Sequence, residues 1–335
     1  MNNSIFGGGG SALFSESKTI PYEYLLSLIN SNVVEFILSL LNPTLNFLVG
    51  DINRLPIIYD ETDLTVCNNT KKLVELSKQD WDSYETSWEF DGNPIVKEYR
   101  TNPSMSLDEV VTILQKKYKN TVLKARDLEI QNNQSFIELY GLNGEISTDY
   151  PLSEVTLFTN TAFMYKEKSE DEQIKLQRVD MIKDLISYSV GCMFGRYSLD
   201  KEGLILCNQG ETIVDFKAKV PNSSFEVDED NVIPVLSDNW FSDDIVERFK
   251  NFLKVAFGEE HYLENLRFIE QTLNVKEKNS YSIRDYFVNE FYSDHIKRYK
   301  KRPIYWMFKT PKGHFKALIY MHRYQPYTVS RARNE

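Results

Sequence analysis

Cysteine and histidine are scarce in this sequence of 335 residues, which contains three cysteines and four histidines. Cys67, Cys192 and Cys207 lie far apart and form no CxxC pair, and the histidines form neither an HExxH motif nor a close ligand pair. We therefore expect no metal site and no disulfide framework. Unpaired cysteines are typical of a reducing compartment, so we predict a cytoplasmic protein.

Long apolar runs are also missing. A membrane-spanning helix needs about 18 or more consecutive apolar residues, and none occur, so we expect no membrane contact. The first residues, MNNSIFGGGGSALF, have neither the basic start nor the apolar core of a secretion signal. Gly7 to Gly10 are not followed by the Lys-Ser/Thr pair of a phosphate-binding loop, which favours an ordinary loop.

Motifs of several enzyme classes are incomplete or absent. Enzymes that methylate an amino group on DNA use an NPPY-type tetrapeptide to hold a flipped base. The sequence has NPTL at 42–45, NPIV at 93–96 and NPSM at 102–105, none with the second proline or the aromatic residue. No DxFxGxG, GxSxG, HxE or Walker motif occurs. Asp243 and Asp244 indicate a helix N-terminus more than a catalytic pair, so we assign no catalytic residue to this chain.

Charge is unevenly distributed along the chain, whose formal net charge is −10. Residues 295–335 contain 11 Lys/Arg and one acidic residue, whereas residues 1–294 contain 28 Lys/Arg and 48 Asp/Glu. A basic segment can neutralise DNA phosphates even on an acidic protein. It can also pack against the acidic remainder of its own chain, and composition leaves both uses open.

Apolar spacing predicts a helix-rich α+β protein. We predict a buried helix over 22–41 and a second over 62–90, whose Trp81, Tyr84 and Trp88 form an aromatic stripe expected in the core. A third helix over 106–140 starts with a Ser106–Glu109 capping box, stops at Gly141 and has a potential break near Asn132 and Asn133. The second and third helices are expected to form an antiparallel pair.

The second half of the chain predicts a mixed structure. The polar stretch KEKSEDEQIKLQR indicates a solvated link before a helix over 179–195. Residues 203–236 contain the strand-like pieces GLILCN, TIVDFKAKV and VIPVL around an acidic run, EVDEDN, expected in a solvated loop. Alternating residues around a turn at 310–313 predict a terminal β-hairpin. Further helices are predicted over 242–257, 259–273 and 281–298.

Three strings resemble a known family. NPTLNFLVGDINRLPI at 42–57 resembles the closing element of target-recognition domains in type I specificity subunits and fused restriction-modification enzymes. ISYSVGCMFGRYSLD at 186–200 and KRPIYWMFKTPKGHFKALIYMHRY at 301–324 resemble the C-terminal region of the PglX family, the adenine-specific DNA methyltransferases of BREX phage-defence systems.

The resemblance implies a division into four parts. Residues 1–60 would be the C-terminal part of a target-recognition-like domain, and residues 61–145 a helical spacer. Residues 146–178 would be a linker, and residues 179–335 a PglX-type C-terminal α+β domain.

The resemblance also implies partners and a cofactor. The family's catalytic and cofactor motifs lie in a large N-terminal region that we expect to be absent from this chain. S-adenosylmethionine is therefore expected for the full-length parent enzyme and no cofactor for these residues. The implied partners are double-stranded DNA and a methyltransferase catalytic region or other BREX subunits.

The basic terminal segment is the candidate surface for phosphate contacts, which position a protein on DNA. Because strand residues alternate between faces, we expect about half of the hairpin cations to point elsewhere. Arg196 and Tyr197 are expected to pack in the core more than to contact DNA. The candidate phosphate contacts are Arg298, Lys300, Lys301, Arg302, Lys309, Lys312, Lys316 and Arg323.

Other functions stay open at this point. The acidic body and the aromatic residues are also typical of a protein-interaction module that docks other defence-system subunits. In the family, partial copies beside an intact gene can serve as recombination donors, so a non-expressed specificity cassette is another alternative. A complete enzyme with unrecognised motifs is a third, and it would bind S-adenosylmethionine.

Overall fold

The computed structural model describes residues 14–15, 19–42, 49–238, 240–241, 243–311 and 315–334. Gly7 to Gly10, residues 43–45 of the NPTL tetrapeptide and the candidate contact Lys312 lie outside these ranges. The chain divides into two compact units. Unit 1 consists of Met1–Gln79 and Tyr118–Lys166, and unit 2 consists of Asp80–Lys117 and Glu167–Glu335.

Helices dominate both units and only one small sheet accompanies them in the described residues, which confirms the prediction of a helix-rich α+β protein. The helices are α1 (Tyr22–Ile29), α2 (Asn32–Leu41), α3 (Val49–Ile52), α4 (Thr65–Asp82), α5 (Pro94–Thr101), α6 (Leu107–Leu139), α7 (Thr161–Met164), α8 (Glu170–Met193), α9 (Ile213–Lys219), α10 (Ile245–Phe257), α11 (Tyr262–Leu273), α12 (Ile283–Asn289), α13 (Phe291–Arg298) and α14 (Thr328–Asn334).

Unit 1 contains an antiparallel contact between α4 and α6. The side chain of Asn69 donates to Asn132 Oδ1 at 3.2 Å. Further along α4, Leu73 and Leu76 pack against a cluster that contains Val122 and Ala125, which come earlier in α6. As the residue number increases along α4, the residue number of its contacts in α6 decreases. The two helices are therefore antiparallel, as predicted.

Helix α6 runs without a break through the two asparagines that the sequence marked as a potential interruption. Asn132 donates to Ser27 Oγ and Asn133 accepts from the Asn32 backbone N–H, both at 2.9 Å. Their buried side chains fix α1 and α2 against α6 and leave the helix intact. The predicted ends are confirmed. Ser106 N–H donates to Glu109 Oε2 at 2.8 Å, and Gly141 has a φ of +67°.

The single helix predicted over 22–41 is wrong, because the chain bends by 61° between α1 and α2. Ser31 starts the second helix by accepting the Val34 N–H on its side-chain oxygen at 3.3 Å. Across the described residues, no single helix is long and apolar enough to cross a bilayer, although α1 and α2 together pass on length and composition as a bent pair.

The aromatic stripe predicted near the end of α4 is also wrong. The helix ends at Asp82, so Trp88 no longer shares a helical face with the earlier residues. Trp81 is 42% exposed and Trp88 is 92% exposed. Serine hydroxyls stop the helix here, as Ser83 donates to Asp80 O at 2.7 Å and Ser87 donates to Asp82 Oδ1 at 2.6 Å.

Unit 2 is built around α8, whose last two turns are buried. This helix starts at a capping box between Ser169 and Glu172, so the polar stretch expected to be a solvated link forms its first turns. The predicted helix over 281–298 is divided at Glu290 into α12 and α13. The first difference arises because a capping box can start a helix within a polar stretch. At Glu290 the side chain forms no cap, and its backbone N–H donates to Tyr286 O at 2.8 Å to end α12.

The strands predicted over 203–236 are mostly wrong. TIVDFKAKV forms α9, which starts at a capping box in which Thr212 N–H donates to Asp215 Oδ2 at 2.7 Å. VIPVL contributes β1 (Ile233–Pro234). The terminal hairpin is confirmed as β2 (Tyr305–Lys309) and β3 (Lys316–Tyr320). Its strands pair antiparallel, and the sheet order is β1-β3-β2. Strand β3 is therefore central and β2 lies at an edge.

Candidate nucleic-acid interface

The segment that follows α8 packs into the core of unit 2. A Cβ atom added to Gly191 would lie 2.3 Å from Cδ2 of the Tyr197 ring, so only glycine fits at this position. Arg196 is 9% exposed and donates to Tyr197 Oη at 3.1 Å and to Tyr320 Oη at 2.9 Å. This confirms the prediction that Arg196 and Tyr197 are core residues.

Arg298 ends α13 in a buried ion-pair cluster. Its guanidinium donates to Asp184 on α8, and its Nε lies 3.2 Å from Glu85 Oε1. Glu85 also accepts the Ser187 hydroxyl at 2.6 Å. A guanidinium that satisfies two carboxylates inside the protein is not free for a phosphate. Arg298 therefore anchors the candidate surface and does not belong to it.

His295 connects α13 to the start of β2. Its Nε2 atom accepts the backbone N–H groups of Ile304 and Tyr305, each at 3.1 Å. An imidazole that accepts at Nε2 must carry its proton on Nδ1 and be neutral. Burial, together with the positive charges of Arg298 and Arg196, lowers the pKa of His295 to about 3. The neutral ring thus fixes the backbone at the start of β2, the first strand of the hairpin.

Two consecutive lysines adopt a left-handed backbone directly after α13. Lys300 has a φ of +50° and Lys301 a φ of +65°. Lys301 N–H donates to Ile296 O at 2.9 Å and Lys300 N–H donates to Lys297 O at 3.0 Å. These are the two bonds of a helix-ending motif in which glycine is the usual left-handed residue. Lysine here carries a backbone cost, offset in part by its favourable charge near the helix C-terminus.

The seven candidate phosphate contacts that lie within the described ranges separate into two groups. Arg323 is 4% exposed and donates to Asp228 O at 2.8 Å and Glu229 O at 3.0 Å. Lys316 Nζ donates to Val288 O at 2.9 Å. Like Arg298, these two cations donate their hydrogen bonds to oxygen atoms of the protein itself. They therefore stabilise the fold. Their inclusion as phosphate contacts has no support in this geometry.

The exposed group consists of Lys300, Lys301, Arg302 and Lys309. Within the described ranges, none of their side chains forms an ion pair or hydrogen bond. Lys297 is a fifth exposed cation, one helical turn before Lys300, and it was not among the predicted phosphate contacts. We call Lys297, Lys300, Lys301 and Arg302 the basic turn. Contact of these residues with DNA stays a prediction.

An acidic cleft of ≈ 610 Å³ lies elsewhere in unit 2, between α9 and the segment that precedes β1. Asp228 on its wall is 2% exposed, and its Oδ1 lies 2.6 Å from Arg248 Nη2. Burial raises the pKa of Asp228 above its usual range, although Arg248 opposes the shift. The acidic run was expected to be a solvated loop, which is wrong for this residue. The exposed members of the lining are Lys217, Pro221, Glu226 and Glu229, and Lys217 Nζ lies 3.8 Å from Glu229 Oε1.

The described NP tetrapeptides form helix boundaries. Asn93 caps α5 by accepting the Ile95 N–H at 2.9 Å, and Pro94 occupies the first helical position. Asn102 ends the same helix and accepts the Ser104 hydroxyl at 2.9 Å. Asp244 likewise caps α10 by accepting the Val246 N–H at 2.9 Å, which confirms its predicted place at a helix N-terminus. These side chains are engaged in local structure.

No protein-family model matches the chain. It is 38% identical over 344 residues to the adenine-specific methyltransferase BrxX of Escherichia coli O9:H4 (strain HS), a match that covers 99% of this chain and 28% of the relative. It is 32% identical over 342 residues to the adenine-specific methyltransferase PglX of Lacticaseibacillus casei (strain Zhang), covering 99% of this chain and 26% of that relative.

The chain thus spans about a quarter of the length of these curated relatives. The similarity extends through almost all of its own residues. The resemblance noted for residues 186–200 and 301–324 is confirmed.

The neutral state of His295 predicts a pH dependence of stability. Its pKa is depressed in the folded protein, so the unfolded chain binds one more proton between pH 6.5 and about 3. The stabilisation is complete above the unfolded pKa and is lost as the pH falls through this window. From pH 7 to pH 5, urea denaturation should show that the wild-type protein loses about 2 kcal/mol more unfolding free energy than His295→Gln. His261→Gln, outside this cluster, should lose at least as much as the wild type, because the hydrogen bond to Glu264 raises the pKa of His261. Equal losses in the wild type and His295→Gln would contradict the assignment.

The buried position of Arg298 predicts a large stability effect. Arg298→Leu leaves Asp184 and Glu85 without their counterion, which should lower the free energy of unfolding by about 3 kcal/mol. Arg302→Leu removes an exposed cation from the same segment and should change it by less than about 0.5 kcal/mol. Chemical denaturation measures both variants. Similar values for the two would show that Arg298 is no anchor.

Proposed function

We propose that this chain is the DNA-recognition and scaffold portion of a PglX-like adenine-specific DNA methyltransferase that acts in BREX phage defence. The observation that carries the proposal is the similarity to two adenine-specific methyltransferases over 99% of the chain. Both relatives are about four times as long as the matched region. We therefore propose methyl transfer and S-adenosylmethionine binding for the longer enzyme and not for these residues.

The local roles of the NP tetrapeptides support this division of labour. A tetrapeptide that holds a flipped base must present its polar side chain and its backbone carbonyl to that base. Asn93 and Asn102 instead use their side chains at the two ends of α5. The base would then be held by a segment outside the described ranges, and this chain would contribute the surface that meets the DNA.

The basic turn supports a role in DNA contact. Its four cations are consecutive or nearly so and they are exposed. Two acidic residues that lie on α13 or contact it already have partners. Asp184 pairs with Arg298, and Asp294 pairs with Lys183 at 2.8 Å. The positive potential of the turn is therefore not cancelled locally. Lysine and arginine in such a position neutralise phosphates and release counterions, which makes the affinity depend steeply on salt.

The acidic cleft favours a second function, the docking of a protein partner. An apolar floor that includes Phe216 and Phe225, with carboxylates at its rim, suits a segment with basic and apolar side chains. A subunit of the same defence system would be such a partner. The two functions are separable by mutation, because the cleft and the basic turn have no residue in common.

Removal of the basic turn should reduce the salt dependence of DNA binding. In Lys300→Gln/Lys301→Gln/Arg302→Gln, the slope of log affinity against log salt for duplex DNA should fall by about 3, since each phosphate contact contributes ~0.9. Fluorescence anisotropy over a salt series measures the slope. The control Lys72→Gln/Lys78→Gln/Lys124→Gln changes the net charge equally at exposed positions of unit 1 and should keep the wild-type slope.

Equal slopes in the two triple variants would contradict the phosphate contacts. If DNA binding is also unchanged while a partner subunit no longer co-purifies with the first triple variant, a protein-interaction role for the basic turn replaces the DNA-binding proposal.

The left-handed lysine predicts that stability and DNA binding change in opposite directions. Glycine at position 300 removes a strain of about 1 kcal/mol from the left-handed backbone of the folded protein. Its greater conformational entropy in the unfolded chain cancels about half of that gain in stability. Lys300→Gly should therefore raise the free energy of unfolding by about 0.5 kcal/mol while lowering the salt slope by about 1. Lys297→Gly, inside α13, removes a neighbouring cation but should lower stability by about 1 kcal/mol. Loss of stability in Lys300→Gly, or an unchanged slope, would count against this account.

A further inference from the structure

Trp306 is an exposed aromatic residue in the middle of the edge strand β2. Its side chain is 49% exposed, although its cross-strand partner Ile319 is completely buried. Phe308, on the same face of the strand, packs against the cluster of Val232, Ala317 and Ile319. The indole of Trp306 thus lies at the margin of this cluster, with much of its surface open to solvent.

Exposure alone does not distinguish Trp306, because Trp88 and Trp240 are exposed by 92% and 77%. The charged residues that neighbour each tryptophan in the sequence distinguish Trp306 from the other two. Trp88 is followed by Glu89 and Asp91, and Trp240 lies between Asp238 and two further aspartates. From residue 295 to residue 334 the sequence contains no acidic residue. Trp306 is therefore the one of these three exposed indoles in a purely basic segment.

Trp306 and the basic turn are also close enough along the chain to contact the same ligand. Arg302 precedes Trp306 by four residues, and extended chain advances about 3.3 Å per residue. The Cα atoms of Arg302 and Trp306 are therefore at most about 13 Å apart, and the long side chains of both residues can reach one ligand. Proteins that bind single strands combine cations along the backbone with aromatic rings on which bases stack. In intact duplex DNA the base faces are covered by their neighbours, so a ring of this kind recognises an open segment.

We propose that Trp306 stacks on a nucleobase of an unpaired DNA segment while the basic turn holds the adjacent phosphates. This rests on the proposed DNA-binding function and specifies its ligand. Stacking needs a flat aromatic face and no particular base edge, so the contact adds affinity for opened DNA without selecting a sequence. It adds no phosphate contact, so it leaves the salt dependence unchanged.

The test compares binding of the full chain to a fluorescein-labelled oligothymidylate and to a matched duplex, by anisotropy and by tryptophan quenching. Trp306→Ala should weaken oligothymidylate binding about tenfold, remove most of the quenching, and leave the salt slope at the wild-type value. Trp306→Phe keeps a flat ring and should retain most of the affinity. Trp88→Ala, an exposed tryptophan in acidic surroundings, should bind as the wild type does.

Three results would overturn the stacking contact. These are unchanged oligothymidylate binding by Trp306→Ala, equal losses for Trp306→Ala and Trp306→Phe at an unchanged melting temperature, and equal losses on the oligothymidylate and the duplex. In each case the wild-type protein still binds DNA, so the proposed function stands. If the wild-type protein binds neither DNA, the proposed function fails as well.

Discussion

The guanidinium of Arg298 lies between Asp184 and Glu85 in the interior of unit 2, and the end of α13 is fixed there. Two carboxylates and one guanidinium removed from water must stay together, because separating them leaves a buried charge without a partner. His295, one turn earlier, accepts two N–H groups at the start of the hairpin. The exposed lysines come directly after this anchored helix, so their position depends on the buried ion pair.

The basic segment thus contains cations with two different uses. Arg298 and Arg323 are enclosed by acceptors of their own unit, whereas Lys300, Lys301 and Arg302 project outward without described partners. Composition alone left the choice between internal packing and phosphate contact open, and the structure shows internal packing for part of the segment. The remaining cations form no ion pair within the described ranges. A protein with a net charge of −10 can in this way present a local basic surface.

The sequence predicted those elements whose signals are local. Helix α6 has both a capping box and a terminal glycine, and the hairpin has alternating residues around its turn. Helix α9 was missed because TIVDFKAKV is rich in β-branched residues, and its Thr212–Asp215 capping box was overlooked. The burial of Arg298 could not be predicted, since its partner Asp184 is 114 positions away in the chain. Lys300 and Arg298 look alike in the sequence, and only long-range packing makes one a surface residue and the other an anchor.

We propose that the basic turn and the adjacent edge strand lie on DNA when the protein is bound. Chemical cross-linking of the full chain to duplex and opened DNA, followed by mass spectrometry of the attached peptides, tests it most directly. We expect cross-links at Lys297, Lys300 and Lys301, and on opened DNA also at Trp306. Cross-links confined to other surfaces, such as the exposed lysines of α4, would contradict it.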